Sequence, residues 1–518
     1  MSSTTATSFA AKFTAFLTTI ISFLLSLPRL LLSALASLDI QRGTTHPPAT
    51  ITPTQEWTGL SIFSLLFLMW GLAYGLLDIM NYHIKVAIGV DRAHAAFLAM
   101  AYYFAYIPGA LLIGGPMVER CGYRAAAVLG LVLLAGGDQI MAVGASQLSL
   151  NMMCLAHFVV GLGVSTLERT ANAYTVECGD RVRAATRILI AQSAAAFGTI
   201  IAPILANAVI FDPSKSGIAP VPNPADPTRC LMPPPPPPSQ AGDLNTVVSF
   251  YKLISYGIFG LAALLALLFF RTRLVIEPLV PASPKLSFPK WKLWKHPLAS
   301  SKYARLWLGG AANFANLGCQ VTVAQFFFEH MRVNACLSDT GAANMMMYAQ
   351  ILFLFGRLAA VGLIQVPAVP FLKRFAGVRS AFKPRWVLAV FVGLATVFTG
   401  VGIVAAGKAA MACAALIMFF EAPSFPMIFE MASAGLGDWT PVGESAVIVS
   451  ICGGGLVPFV NGKLADLFGV SQAWGLATGL FGMVFSYVLM NCVVPSWRDA
   501  VDGAHGEGHS EDVELTAK

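Results

Sequence analysis

The chain has 518 residues, of which 56% are hydrophobic and 11% charged, with a formal net charge of +7. A soluble globular chain carries about 25% charged residues, so this one lacks the polar surface to cover itself in water. Several separate soluble domains are excluded, and the basic excess is not a nucleic-acid patch, because Lys and Arg gather in alternate loops between apolar runs.

In chain order, residues 8–38 come first, an apolar, Ser/Thr-rich stretch with Lys12 and Arg29 embedded and Pro28 breaking it. No charged segment precedes it as in a secretory signal. It is expected to lie as an interfacial helix along the cytoplasmic leaflet, within a tail spanning 1–57. Windows of about 20 apolar residues then recur twelve times. Six lie near 58–82, 94–117, 125–146, 150–173, 184–210 and 247–270. Six more lie near 303–329, 341–369, 384–406, 409–433, 443–466 and 471–493. The expected fold is therefore an all-α membrane protein of twelve transmembrane helices.

Loops after even-numbered spans hold most of the basic residues, densest between spans 6 and 7, with Arg271, Arg273, Lys285, Lys290, Lys292 and Lys295. The positive-inside rule then places those loops and both termini in the cytoplasm, with the plasma membrane as the expected host. Residues 211–246 include an unbroken proline run from Pro233 to Pro238, which cannot be helical and reads as an extended extracytoplasmic loop. The basic stretch 271–302 reads as a linker between two units, 58–270 and 303–493. The polar, Gly/Glu-rich tail 494–518 reads as disordered.

Nine Cys occur without a CxxC pair, mostly in or beside apolar spans, and read as packing residues rather than a metal site. Cys230 and Cys336 both fall in loops on the expected outer side, where spacing alone leaves their pairing open.

An ionisable group inside a span is costly by about 2.5 kcal/mol or more, yet Asp78 and Glu168 both sit in apolar runs. Span 4 sets His157, Gly161, Ser165, Glu168 and Asn172 at steps of three and four residues, hence on one helical face. Span 7 does the same with Asn313, Asn316 and Gln320, and span 1 with Tyr74, Asp78 and Tyr82. Three polar stripes in lipid-spanning helices point to a shared hydrated cavity. Amides also join helices directly, so that role stays open for each, and His157 reads as a packing histidine. Asp138, Glu329, Glu421, Glu430 and Asp466 lie nearer the expected helix ends, where structural or solvated roles are expected.

Between spans 2 and 3 stands Gly115-Pro-Met-Val-Glu119-Arg120-Cys-Gly122-Tyr-Arg124, with a weaker echo after span 8, Lys373-Arg374-Phe-Ala-Gly377-Val-Arg379. The first resembles the GxxxDRxGRR signature of the major facilitator superfamily, with Glu119 for the usual Asp. The resemblance implies two pseudo-symmetric six-helix bundles rocking about a midplane site, and a conformational role for Gly115, Glu119, Arg120 and Arg124. A closer resemblance follows the chain in order. Gly71-Leu-Ala-Tyr-Gly-Leu-Leu-Asp78, Ala101-Tyr-Tyr-Phe-Ala-Tyr106, Gly161-Leu-Gly-Val-Ser-Thr-Leu-Glu168-Arg-Thr-Ala-Asn172, Ala191-Gln192, Gly318-Cys-Gln320, Phe355-Gly356-Arg357 and Gly453-Gly-Gly455 look like the L-fucose permease family of sugar–proton symporters.

That resemblance implies proton coupling at Asp78 and Glu168, and Arg357 in a conformational motif. It implies substrate contacts at Glu168, Asn172, Gln192, Asn316, Gln320, Tyr74 and Tyr103. Leu189 departs from it, since the family pattern carries an amide there, which argues against fucose as the specific solute. The expectation is import of a monosaccharide by a monomer in the bilayer, driven by a proton gradient with Na⁺ left open, and with no metal or other cofactor. An exporter of other small molecules and a non-transporting sugar sensor are the alternatives. No P-loop, HExxH or GxSxG in suitable context supports an enzyme.

Overall fold

The computed structural model describes residues 53–88, 92–178, 184–209, 221–224, 226–231, 244–272, 303–366, 382–436 and 439–503. The expected interfacial helix at 8–38, the proline run, the linker at 271–302 and the tail after residue 503 lie outside the described residues.

Lipid offers no partner to backbone N–H and C=O groups, so a spanning chain must satisfy them along its own helix. Among the described residues each of the twelve apolar windows is accordingly mostly helical. In the first half these are α1 (Pro53–Ile88), α2 (Arg92–Phe104), α3 (Gly115–Ser146), α4 (Leu150–Glu177), α5 (Ala184–Val209) and α6 (Leu244–Thr272). In the second half α7 (Ala304–Asn334), α8 (Asp339–Gln365) and α9 (Pro384–Gly402) come first. Span 10 is split into α10 (Gly407–Glu421) and α11 (Ser424–Ser433), and span 11 into α12 (Thr440–Val449) and α13 (Gly453–Phe468). Helices α14 (Val470–Val493) and α15 (Pro495–Gly503) complete the described chain. Among the described residues ten segments are long and apolar enough to cross a membrane. Span 5 contributes a shorter apolar stretch, Thr186–Ala202. Span 7 is left out because Asn313, Asn316, Gln320, Gln325 and Glu329 dilute its apolar run.

The breaks have local causes. After α2 the chain passes through a π-helical stretch, Gly109–Gly114, and runs on into α3, whose first turns carry the expected loop motif. Gly122 there has φ +86°, a conformation that costs a Cβ-bearing residue and lets the chain turn between spans 2 and 3. Ser149 and Ser338 cap α4 and α8, their hydroxyls accepting from Met152 N and Gly341 N. Pro423 begins a new helix in span 10 after α10 ends at Glu421.

Within the first half, α3 packs against α4 and α6, and α1 against α5; within the second, α9 against α14, and α7 against α13 and α14. The halves meet through α2 with α13 and through α5 with α8. The first of these seams is tight, because a Cβ on Gly454 would lie 2.8 Å from the Tyr103 ring.

Two expectations are revised. The segment 211–246 contains a β-hairpin, β1 (Val221–Asn223) antiparallel to β2 (Asp226–Leu231), with Pro222 opposite Cys230. Cys230 is disulfide-bonded to Cys336, with Cα atoms 5.4 Å apart, and Arg229 donates to the Ile403 carbonyl at 3.4 Å. A loop that belongs by sequence to the first half is thus fastened to the second. The tail expected to be disordered from residue 494 instead begins with α15, held down by buried Val501 and by Asp502, which accepts from Lys383 at 2.6 Å and from Arg385.

Candidate functional site

Helix α4 is buried along most of its length, from Ala156 to Thr175, and so carries Glu168 into the middle of the protein, 2% exposed. Glu168 does not face lipid. The Tyr106 hydroxyl donates to Glu168 Oε2 at 3.1 Å, and Trp70 Nε1 donates to that hydroxyl at 3.1 Å. Three helices, α1, α4 and the short turn after α2, thus converge on one carboxylate. From the second half, Arg357 faces Glu168 electrostatically. It is 2% exposed and lies over the Phe353 ring at 4.7 Å. Its Nε donates to Ala422 O at 3.1 Å, and its Nη1 donates to Gln192 O across the seam. One guanidinium thereby ties both halves together beside the acid.

These groups line a cavity of about 20 Å³ walled by Trp70, Tyr74, Tyr103, Tyr106, Leu317, Gln320 and Phe425. Trp70 stacks on Tyr74 at 5.9 Å and Tyr103 on Tyr106 at 6.2 Å, so flat aromatic faces and a carboxylate–guanidinium pair surround the same space. A single water needs about 10–15 Å³ of such room. A solute with several hydroxyls enters only if the halves part.

Of the residues expected to contact a solute, Tyr74, Tyr103, Glu168 and Gln320 line this cavity. Asn172 and Gln192 are turned toward each other, Gln192 Nε2 donating to Asn172 Oδ1 at 2.9 Å. That pairing leaves Gln192 Oε1 without a partner among the described residues, and Asn316 has neither amide atom satisfied, while Asn172 also faces Glu168. Burying an unmade hydrogen bond costs about 1–3 kcal/mol, so the Gln192 and Asn316 amides keep spare hydrogen-bonding capacity. Asn313 differs, since its amide donates to Ser450 Oγ at 2.9 Å and joins α7 to the turn before α13. Arg357, expected in a conformational motif, lies in the cavity wall. The backbone of α1 carries Asp78, and its side chain lies outside the described residues, as does that of Glu119.

In the loop motif, Gly115 is buried, Arg120 is exposed, and Arg124 donates to the Phe269 carbonyl at the end of α6 at 3.0 Å. The ion pair that joins the two halves at that end is one no motif singled out. Arg169 Nη1 lies 3.2 Å from Glu444 Oε2, with side chains 3% and 0% exposed, and Arg169 Nε donates to Ser445 Oγ. Arg169 follows Glu168 directly, so its place inside a span was a readable signal, as was that of Glu444 near the start of span 11. The acids nearer helix ends, expected in structural or solvated roles, divide by exposure. Asp466 is exposed, but Asp138, Glu329, Glu421 and Glu430 are buried. Glu421 closes α10, where the helix break at Ala422 and Pro423 keeps it inside the second half.

Known proteins resemble this chain in sequence and in fold. A family model described as Major Facilitator Superfamily matches residues 58–438. A glucose/galactose transporter of Brucella abortus (strain 2308) is 27% identical over 451 residues, 86% of this chain and 98% of the relative. An L-fucose-proton symporter of Escherichia coli (strain K12) is 25% identical over 429 residues, 82% of this chain and 90% of the relative. The crystal structure of a transporter of the superfamily, FucP, in the outward conformation superposes with a TM-score of 0.62 at 20% identity, covering 84% of this chain and 99% of that one. With twelve spans in two halves, a polar cavity on the seam between them and a family model matched from span 1 to the end of span 10, the chain belongs to the Major Facilitator Superfamily.

Proposed function

We propose that the protein imports a monosaccharide together with protons by alternating access, with 58–270 and 303–493 as the two moving bundles joined by the linker at 271–302. The observation that carries this reading is Glu168, a buried carboxylate in the cavity between the halves, held by Tyr106 from one side and faced by Arg357 from the other. Such a group can bind a sugar hydroxyl when charged and can take up a proton when the cavity is sealed from water. Protonation would release Arg357, which also grips Gln192 across the seam, so a change of charge at Glu168 is transmitted to the contact between bundles.

In this account Asp78 shares the proton coupling, and Asn172, Gln192, Asn316 and Gln320 offer amides to hydroxyls while Tyr74 and Tyr103 offer ring faces. The relatives named as glucose/galactose transporters and L-fucose-proton symporters support a sugar and a proton as the two solutes. A hexose other than fucose is favoured, because Leu189, fully buried, replaces an amide of the fucose pattern. The ends of spans 2, 4, 6, 8 and 10 would face the cytoplasm with both termini, in the plasma membrane, and the working unit would be a monomer.

The test is uptake of labelled hexoses, fucose included, into proteoliposomes with an imposed inward proton gradient. Accumulation of at least one hexose, abolished by a protonophore, is the expected result. Saturable sugar binding without flux would favour a sensor, and flux indifferent to the protonophore would exclude proton coupling.

A further inference from the structure

A second cavity, of about 30 Å³ and mostly apolar in its lining, lies inside the first bundle and away from the seam. Asp138 of α3 and His157 of α4 line it, with Tyr102 of α2, Tyr251 of α6 and apolar Met69 and Leu72 of α1. Asp138 is 6% exposed and His157 5%. Asp138 stands eight residues from the end of α3 and His157 seven from the start of α4, so both are about 10–12 Å deep at 1.5 Å rise per residue. No hydrogen bond or ion pair reaches the Asp138 carboxylate from the described residues, and none of the lining residues is Lys or Arg. His157 Nδ1 lies 2.9 Å from the Met153 carbonyl. That bond fixes the proton on Nδ1 and leaves Nε2 with its lone pair.

A buried carboxylate without a donor or a cation is a rare and costly arrangement, and here it borders a space that holds one or two waters. The chemistry gathered is two carboxylate oxygens, an imidazole lone pair and the phenol oxygen of Tyr251, all capable of accepting, with the Tyr102 ring closing the space. That set suits a small hard cation, which prefers oxygen ligands. We propose that Asp138, with His157, Tyr102 and Tyr251 around it, forms a second cation site in the first bundle, taking a hydrated proton or a sodium ion. Tyr102 is the partition between this site and the central one. Its ring meets the Tyr103 ring at 4.9 Å and the Tyr106 ring at 5.8 Å, and Tyr106 is the donor to Glu168. Occupancy at Asp138 therefore presses, through one aromatic side chain, on the group that holds the central acid. The coupling role rests on the transport reading; the binding itself does not.

Binding is measured without sugar on the purified full chain in nanodiscs, by infrared difference spectra of the carboxyl C=O stretch. One arm steps the pH in choline chloride, and the other exchanges choline chloride for NaCl at fixed pH. The parent is expected to show a carboxyl band that responds to pH alone if the site takes a proton, and also to NaCl if it takes sodium. Asp138→Asn should lose that band while Glu168→Gln keeps it. Parent and Asp138→Asn spectra that superpose in both arms would overturn the assignment. Should Asp138→Asn fail to give a monodisperse protein, His157→Gln serves instead. Loss of the imidazole partner should shift the pH midpoint by about one unit or weaken sodium about tenfold, and an unmoved midpoint in both arms would also overturn it.

Discussion

Where spans 4 and 10 finish and spans 5, 9 and 11 begin, ion pairs join the helices. Arg169 meets Glu444 across the halves at 3.2 Å, while within the first half Arg187 meets Glu56 at 3.3 Å and within the second Arg385 and Lys383 hold Asp502. At the opposite end the halves are tied by the Cys230–Cys336 disulfide and by Phe97 stacked on Phe459 at 6.3 Å. The first kind of tie depends on charge and can open and close without chemistry. In the second, the disulfide keeps Cys230 and Cys336 connected whatever the conformation, so any parting of the halves at that end happens with the hairpin still attached to the second half. The difference teaches that the halves are free to exchange contacts at the charged end, while the other end is leashed.

The comparison is broken most severely at Arg169. Arg169→Ala takes the cation at 3.2 Å away from the buried Glu444 carboxylate, a loss of about 3–5 kcal/mol for a buried pair. Thermal unfolding in nanodiscs should show it, and cysteine labelling at this end should rise. The double variant Arg169→Met with Glu444→Leu should recover most of the stability, because the buried carboxylate is then gone. If the single variant is as stable as the parent, the pair does not hold the closed end.

Next in size is the covalent tie. Its partners are 106 residues apart in sequence, and removing a crosslink over a long loop costs about 2–4 kcal/mol. Cys230→Ser should lower the unfolding temperature, and mild reduction of the parent should reproduce the effect. Labelling at the charged end should stay as in the parent. Equal gains in labelling at both ends would show that the two ties are not independent.

The smallest effect is expected at Asp502. Burial alone would raise its carboxyl, but donation from Arg385 and Lys383 holds it below its ordinary value. A depressed carboxylate contributes stability that is complete above its unfolded value of about 3.9 and is lost as the pH falls through the folded one. Asp502→Asn should therefore loosen α15 equally from pH 5 to 8, read as faster amide exchange in that helix, with the difference from the parent fading below about pH 4. A difference that grows below pH 4 would reverse the sign argued here.

Much of the fold could be read from the chain because lipid imposes one rule on every span, and among the described residues all twelve windows are mostly helical. The interruptions were harder to see. Gly122, the π-helical stretch Gly109–Gly114 and the split at Pro423 are local features of the backbone, which hydropathy does not register. At the site, the three- and four-residue steps of span 4 placed Glu168 correctly on an inward face, and Tyr74, Tyr103 and Gln320 reach the same cavity. Trp70 escaped notice because an aromatic in an apolar span looks like packing until its indole finds Tyr106. Arg357 and Arg169 could be read as cations inside spans, but their partners could not, since which acid a buried cation meets depends on helices far away in sequence. The hairpin was hidden by the prolines around it, and the pairing of Cys230 with Cys336 depended on a loop crossing from one half to the other.

The central claim is that the Glu168 carboxylate must lose and regain its charge for the cavity to face first one side and then the other. Glu168→Gln in proteoliposomes tests it, with gradient-driven accumulation and sugar-for-sugar counterflow measured on the same preparation. A neutral side chain that still hydrogen-bonds Tyr106 should retain counterflow while accumulation disappears. Accumulation equal to the parent's, driven by the same proton gradient, would contradict the account.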